Sequence, residues 1–252
     1  MHNNRYIITF VLIMTVVVAV VLAGLFTMLK STHDKNQLLF NKRAVLTAIE
    51  PYLEKPVSEY GDEEIEAIFA ADIDQKVIDM DGNLIDQAGM AAAGYKDGKA
   101  ENVDNKKEKK KPEEERMLPL FIYEKDGEKL YITNVRGNGL WDEIWGNIAL
   151  KEDLNTVVGV AFDHTGETPG LGAEIKDNPN FPASFEGKKI YDEDGNYMSI
   201  SVMKGGVKDP NHQVDGISGA TITANGVTEM MVRGMKYYEP YFDALRDKKK
   251  IN

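Results

Sequence analysis

The chain has 252 residues, a formal net charge of −11 at pH 7 and no cysteine. This length allows one sizeable core, or one core plus an appendage. The absence of cysteine excludes disulfides, thiolate zinc sites, cysteine-ligated iron–sulfur clusters and covalent c-type haem. The acidic balance argues against a nucleic-acid partner, which would require a basic face.

The first predicted element is an apolar helix. Residues 7–29, IITFVLIMTVVVAVVLAGLFTML, carry no charge and are flanked by Arg5 and Lys30. At about 1.5 Å per residue the run spans roughly 34 Å, enough to cross a hydrocarbon core of about 30 Å. A cleaved signal peptide has a shorter apolar stretch of about 7–15 residues and a clear small-residue cleavage site. The pattern therefore favours an uncleaved single-pass anchor that contacts membrane lipid through residues 7–29.

Residues 30–116 are predicted to form a membrane-proximal, largely helical region. Apolar residues between 35 and 50 recur at helical spacing, so a helix is expected to continue beyond the membrane segment until Pro51. Residues 63–78 are predicted to form a second amphipathic helix that runs into an extended segment. Residues 96–116 are charged at most positions and almost devoid of apolar side chains, so we expect an exposed, mobile insertion without a binding role.

Residues 117–252 begin with predicted strands. Asp126 and Gly127 form a turn signal between two runs of β-forming residues, which is typical of a β-hairpin. The predicted strands are 118–123, 130–135, 146–150, 157–163 and 197–203.

Helices follow these strands. A short helix is predicted at FPASFEGKKI, residues 181–190, and a longer one from about Thr223, which Pro240 is expected to kink or split. Strands followed by helices without regular alternation indicate an α+β domain on an antiparallel sheet flanked by helices.

Three loops in this domain are rich in glycine and poor in charge. They are GNGLW at 137–141, GETPGLG at 166–172 and DGISGATIT at 215–223. Glycine permits unusual dihedrals and lets a backbone approach a ligand closely. Any one loop alone is compatible with an ordinary turn, but three in one domain favour a lined pocket. Backbone groups, one indole and a few methyls suit a flat, partly polar heteroaromatic ligand better than a sugar or a metal ion.

Catalytic motifs are scarce. Ser218, His212 and Asp215 could be combined into a serine–histidine–acid site, but nothing around them resembles a nucleophile elbow. Metal-binding histidine or carboxylate motifs are missing, so no metal site is predicted. A strand-GxGxxG-helix unit is missing too, so the chain is not expected to bind NADH itself. We therefore predict no catalytic residue.

The motif SGATIT at 218–223, preceded by Asp215, resembles the flavinylation motif of the FMN-binding domain family. GNGLW and GETPGLG resemble the other two loops of that family, in the same order and with similar spacing. The N-terminal anchor and GLWDEIWGNIAL extend the resemblance to the C subunits of bacterial sodium-translocating NADH:quinone reductases. The G subunits of the related ferredoxin:NAD oxidoreductases share the anchor and the SGAT motif, and remain an alternative. A membrane-tethered binding or assembly module without redox chemistry is the other.

The resemblance implies where a flavin is attached. In the FMN-binding domain family a flavin transferase links FMN, through its phosphate, to the threonine or serine after Gly-Ala, which is Thr221 here. Gly219 and Ala220 leave that hydroxyl uncrowded. Ser218 and Thr223 are expected to donate hydrogen bonds to the phosphate, or to cap a helix that begins near Thr223.

The resemblance also implies which loops contact the flavin ring. One side of the ring is expected to face Gly139, Leu140 and Trp141. The other side is expected to face Thr168, Leu171 and Gly172. Trp141 is expected either to stack on the ring or to pack in the core. Glu167 is expected to point away from the ring or to hold its loop, and Asp215 to present the attachment loop or bind the transferase's metal.

The function implied by the resemblance is that of a membrane-anchored electron-transfer subunit. It would relay electrons between the other subunits of the reductase complex, without a complete active site of its own. The family places residues 1–6 in the cytoplasm and the flavin domain, 117–252, on the periplasmic side of the bacterial inner membrane. The lysines and arginines flanking the anchor predict the opposite orientation, but large C-terminal domains cross with little regard to such charges.

Overall fold

The computed structural model describes residues 4–95 and 97–251. The chain divides into two compact units between Phe40 and Asn41. Helix α1, Asn4–Thr47, is long and apolar enough to cross a membrane. Its bounds confirm the predicted apolar helix and its continuation past residue 29. A 3-10 turn that contains Pro51 follows, where the sequence predicts the helix to break.

The second unit contains the remaining helices and the strands. The helices are α2 Asp62–Asp72, α3 Gln87–Ala92, α4 Asn105–Glu108, α5 Glu174–Asp177, α6 Asn180–Ala183, α7 Thr221–Lys236 and α8 Glu239–Ile251. The strands are β1 Ile73–Ile78, β2 Leu118–Lys125, β3 Glu128–Asn138, β4 Glu143–Leu150, β5 Val157–His164, β6 Ser201–Met203 and β7 Gln213–Asp215. Helix α2 followed directly by β1 confirms the predicted helix that runs into an extended segment.

Strands β1 to β5 form one antiparallel sheet in chain order. The predicted hairpin joins β2 to β3, and its turn residues Asp126 and Gly127 have φ of 54° and 84°. Positive φ at both central positions is the geometry of a two-residue type I′ turn, which explains why Asp-Gly occurs there. Each strand is thus placed beside the next by a short connection, apart from the long segment between β1 and β2.

Both faces of this sheet are covered. On one face the ring of Phe121 in β2 makes an edge contact with Phe69 of α2, with centroids 5.8 Å apart. On the other face Val135 of β3 lies against Gly234 of α7. Apolar side chains of the sheet, α7 and α8 form one buried cluster. This arrangement confirms the predicted α+β class with an antiparallel sheet flanked by helices.

The predicted strand at 197–203 is only partly correct. Only Ser201–Met203 forms a strand, and it pairs in parallel with β7 in a separate two-stranded sheet. The Val202 N–H donates to the Thr228 hydroxyl of α7 at 2.9 Å, which ties this small sheet to the helix. Sequence pattern indicates extended backbone there but not its pairing partner, which follows only after a loop.

The charged segment 96–116 differs from its prediction. Lys96 lies outside the described residues, but Ala100, Val103 and Glu108 are buried. Glu108 accepts hydrogen bonds from the Tyr95 hydroxyl and from the Met117 N–H. Composition alone suggested a solvated insertion, but the donors of this buried carboxylate join the two ends of the segment. The Lys109 ammonium holds it to the sheet by donating to Asn138 Oδ1 of β3 at 2.9 Å.

The C-terminal helices match the expected effect of Pro240. Helix α7 ends at Lys236 and α8 begins at Glu239, so the proline stands in the first turn of a new helix, where its missing N–H is tolerated. Gly226 and Gly234 bring α7 close to β3, because a Cβ at either position would overlap Asn138 or Val135. The start of α7 is therefore held beside the end of the β3–β4 hairpin.

Candidate functional site

The three glycine-rich loops meet at one end of the domain. The first connects β3 to β4, the second follows β5, and the third connects β7 to α7. The Trp141 indole N–H in the first loop donates to the Thr168 hydroxyl in the second, at 3.0 Å. A Cβ at Gly219 in the third loop would lie 2.7 Å from Leu171 in the second. The fold therefore brings together the loops that the sequence singled out.

Thr221 is exposed and is the first residue of α7. The helix begins after Ala220, which caps it without a side-chain hydrogen bond. Gly219 has φ of 78°, a left-handed conformation that glycine adopts without strain, and it turns the chain into the helix. The helix thus starts about two residues earlier than predicted, and neither Ser218 nor Thr223 caps it. An uncapped helix start leaves backbone N–H groups beside the Thr221 hydroxyl.

Thr223 lies elsewhere than expected. It is inside the first turn of α7, only 1% exposed, and its hydroxyl donates to Glu167 Oε2 at 2.6 Å. Its hydroxyl is therefore engaged within the protein instead of facing a phosphate. Ser218, in contrast, is exposed in the loop that leads to Thr221.

Glu167 is buried at the centre of the three loops. Besides the bond from the Thr223 hydroxyl to its Oε2, its Oε1 accepts a hydrogen bond from the backbone N–H of Trp141 at 3.0 Å. Its own N–H donates to His164 Nδ1 at 3.1 Å, which leaves the proton of a neutral imidazole on Nε2. Among the described residues that Nε2 is buried without a partner. Glu167 holds its loop, one of the two roles expected from sequence.

Large apolar side chains are exposed around this site. Trp141 is 68% exposed, so it is not the core tryptophan that was one of the two expectations. Leu140 and Leu171, both expected to contact a ring, are 45% and 40% exposed. Ile222 beside Thr221 is 57% exposed and was missed by sequence reasoning. An apolar residue in the first turn of a helix gives no sequence signal that separates a core position from an exposed one.

The two glycines assigned to the ring take different positions from these side chains. Gly139 is half-buried and Gly172 is buried, and each lies against the carboxylate of Glu167. Thr168, in contrast, is exposed beside Trp141.

An open cleft of about 470 Å³ lies beside the third loop. It is lined by Asp215, Ser218, Gly170 and residues of α5 and α6. The imidazole of His212 is turned to the Lys189 carbonyl, 2.8 Å from Nδ1, rather than to this cleft. Ser218, His212 and Asp215 therefore do not form a hydrolytic site. The cleft instead leaves open space next to the segment that precedes Thr221.

The residues that form this site lie within a region that is similar to known proteins. Residues 139–236 match the FMN-binding domain family, a range that starts in the first loop and includes the other two. The chain is 37% identical over 239 residues to the C subunit of the Na(+)-translocating NADH-quinone reductase of Pseudomonas aeruginosa, with 87% of each chain covered. The chain belongs to the family of C subunits of Na(+)-translocating NADH-quinone reductases. The protein of the same name from Neisseria meningitidis serogroup A is 30% identical over 251 residues, which cover 94% of this chain and 92% of that one.

Solved structures of such C subunits share the fold. The crystal structure from Parabacteroides distasonis has a TM-score of 0.70 and 32% identity, and the match covers 84% of this chain and 96% of that chain. The structure of NqrC from Shewanella oneidensis has a TM-score of 0.67 and 26% identity, and covers 86% of this chain and 99% of that chain. The fold of this family therefore extends beyond the residues that match the FMN-binding domain.

Proposed function

We propose that this chain is the FMN-carrying, membrane-anchored C subunit of a Na(+)-translocating NADH-quinone reductase. The flavin is held by a phosphoester to Thr221 and relays electrons between other subunits of the complex. The observation that carries this proposal is the exposed Thr221 hydroxyl at the uncapped start of α7, where three glycine-rich loops meet.

The start of α7 fits the phosphate end of FMN. A helix of 16 residues presents free N–H groups and the positive end of its dipole at its first turn, which favours an anion there. Ser218 is exposed next to this turn and can donate to a phosphate oxygen, whereas Thr223 is already bonded to Glu167. Thr221 and Ser218 are thus the hydroxyls available to the phosphate.

The loops fit a flat ring. Trp141, Leu140 and Leu171 expose apolar surface around the site, and such surface is normally covered by a ligand or partner when it clusters. We place Gly139, Leu140 and Trp141 on one side of the ring and Thr168, Leu171 and Gly172 on the other. Backbone groups of these loops supply hydrogen bonds, since the protein's contribution to a flavin site is position and electrostatics.

Attachment requires a second protein. The Thr221 hydroxyl loses its proton, its oxygen forms a bond to the flavin phosphorus, and the bond from that phosphorus to the donor's leaving group breaks. The proposal assigns no base on this chain to the step, so a flavin transferase supplies the catalysis. Asp215, exposed at the end of β7 and lining the adjacent cleft, is placed to contact that transferase or its metal ion.

Electron transfer follows from the attached cofactor. FMN bound at this site would supply one-electron transfer, and the loops of this chain would position it. The relatives are named as subunits of an NADH-quinone reductase, which supports partners that supply electrons and take them on. The segment 7–29 of α1 is the anchor in the inner membrane.

Mass measurement tests the attachment. Protein co-expressed with the transferase is expected to carry the mass of one FMN less one water, mapped to the peptide that contains Thr221. Thr221→Ser keeps the adduct because it keeps a hydroxyl, and Ser58→Ala, at an exposed position outside the three loops, keeps it as the control. Loss of the adduct in Thr221→Ala is required, and an adduct that persists there contradicts the proposal. An unmodified wild-type protein would favour the binding or assembly module.

The same proposal places the flavin domain on the periplasmic side. The absence of cysteine makes a clean test available, since one introduced thiol is the only one in the chain. Asp194→Cys lies on an exposed turn of this domain. We expect a membrane-impermeant maleimide to label it in intact spheroplasts. Labelling only after the membrane is broken would place the domain in the cytoplasm.

A further inference from the structure

We propose that Glu167 is the positioning residue of the three-loop site, and that Gly139 and Gly172 are glycine because its carboxylate occupies the space of their side chains. The inference rests on the proposed function for its purpose, but its geometry is a property of the protein without flavin. Glu167 ties the loops together before any cofactor is attached.

One side chain connects all three loops. Glu167 belongs to the second loop, and its Oε1 accepts from the Trp141 N–H of the first. Its Oε2 accepts from the hydroxyl of Thr223, which closely follows the attachment residue Thr221. The contacts join positions 26 and 56 residues apart along the chain. Both carboxylate oxygens are thus used within the protein.

Each oxygen also lies against one glycine. A Cβ at Gly139 would overlap Glu167 Oε1, and a Cβ at Gly172 would overlap Glu167 Oε2 and lie 2.6 Å from Thr223 Oγ1. Neither glycine has the positive φ that would by itself require glycine. The Glu167 carboxylate is the nearest obstacle at both positions, and at Gly139 the Ile144 side chain, 2.9 Å from such a Cβ, adds to it. Gly219 differs, because its φ of 78° accounts for glycine there.

A buried carboxylate is costly unless its hydrogen bonds are made, so its position is not incidental. Glu167 is 5% exposed and its two donors lie at 2.6 and 3.0 Å. Bonds to a charged acceptor are stronger than neutral ones. Moving the first or the third loop away would leave one oxygen of this carboxylate without its donor. The arrangement consequently favours a single relative position of Trp141, Thr223 and the loop of Glu167.

The contacts of Glu167 form the site before the flavin is attached. The transferase meets a folded acceptor in which Thr221 and the ring-binding loops already have their final spacing. Less ordering is then needed when the flavin is placed, which is the general advantage of pre-organisation. Glu167 acts through the loops and is not itself a group that contacts the reacting atoms.

Hydrogen exchange tests whether Glu167 holds the loops together. It is measured on the flavin-free full chain, produced without the transferase. In Glu167→Ala the Trp141 amide loses its acceptor, and its exchange is expected to accelerate about tenfold or more, given the strength of bonds to charged acceptors. Glu167→Gln retains a carbonyl oxygen for this amide, and can donate to the Thr223 hydroxyl, so its exchange stays near the wild-type rate. Glu193→Ala, at an exposed position of the same domain, is the matched control. Unchanged exchange in Glu167→Ala would overturn the proposal.

A double-mutant cycle tests whether the Glu167 carboxylate is what excludes a side chain at Gly139. Gly139→Ala is expected to lower the urea midpoint in the wild-type background and to lower it less in the Glu167→Ala background, because the overlapping group is gone. Equal losses in the two backgrounds would show that another contact requires the glycine, and would overturn that part of the proposal. If Glu167→Ala does not fold, Thr223→Val and Thr223→Ser replace it, and only Thr223→Ser should keep the wild-type exchange of the loops.

The flavin adduct separates this proposal from the proposed function. Exchange and stability are measured without FMN, so they report on Glu167 whether or not Thr221 is the attachment residue. Faster exchange in Glu167→Ala, together with no flavin adduct on the co-expressed wild-type protein, would contradict the proposed function alone. An adduct on Thr221 with unchanged exchange in Glu167→Ala would contradict the positioning role alone.

Discussion

Gly226→Ala tests how the start of α7 is held beside the first loop. Gly226 is buried in α7, and a Cβ there would lie less than 3.0 Å from the Asn138 carbonyl oxygen, a separation that real Cβ atoms essentially never show. Asn138 ends β3 and immediately precedes Gly139 of the first loop. The overlapping atom belongs to the backbone, so it cannot rotate away as a flexible side chain would.

Two opposing effects decide the sign of the change in stability. Alanine in the interior of a helix is favoured over glycine by about 0.8–1.0 kcal/mol. Overpacking in a closely packed region costs about 1–3 kcal/mol, and a backbone obstacle puts this case at the upper end. We therefore expect Gly226→Ala to lower the free energy of unfolding by about 2 kcal/mol.

Urea unfolding of the flavin-free protein measures this effect. Asn225→Ala, at the neighbouring exposed position, is the control for helix propensity and should be neutral or stabilising. Gly166→Ala is the control for a loop glycine, because a Cβ there meets nothing within 4 Å. A Gly226→Ala protein that is more stable than wild type would refute the close approach of α7 to β3.

Two further predictions concern groups outside the site. Glu108→Ala leaves the buried Tyr95 hydroxyl without its acceptor and removes the partner of the half-buried Met117 N–H and of the Lys111 ammonium. The free energy of unfolding should therefore fall by about 1–3 kcal/mol. Exposed Glu114→Ala should leave the urea midpoint unchanged, and equal midpoints for the two variants would restore the solvated interpretation of this segment. Burial alone would raise the pKa of Asp153, but hydrogen bonds from the hydroxyl and N–H of Thr156 and the N–H of Asn155 lower it overall. A lowered pKa in the folded state contributes stability above the unfolded value of about 3.9, and that contribution disappears as the pH falls through the folded pKa. The destabilisation by Asp153→Asn, measured by urea unfolding, should therefore shrink between about pH 7 and pH 3, and a constant difference would exclude the linkage.

Features set by local physical rules were predictable from sequence. The uncharged run at 7–29 identifies α1, since helix formation and apolar transfer depend on composition over one segment. Asp126 and Gly127 predict the β2–β3 hairpin because few residue pairs accept two positive φ values. Pro240 separates α7 from α8 because proline lacks the N–H that a continuous helix needs. The three loops were located by glycine content and by their resemblance to a known motif.

Only the tertiary structure shows the hydrogen-bond partners and the burial of individual side chains. Thr223 was expected to donate to a phosphate, but its partner Glu167 lies 56 residues away, and no local pattern reports such a distance. Trp141 could be core or surface by sequence, and the packing of the first loop leaves it exposed. The charged segment was expected to be solvated because of its composition, yet the burial of Glu108 depends on donors supplied by Tyr95 and Met117.

Features that sequence predicts differ from those that it does not in the range of the interactions that determine them. Backbone dihedrals, helix breaks and apolar runs are settled within a few residues, and the sequence determines them by itself. The burial and partner of a polar side chain depend on chain segments that meet only in the folded domain. Thr221 was identified by its motif, but its exposure at the uncapped start of α7, and the carboxylate that holds the loops around it, came from the tertiary structure alone.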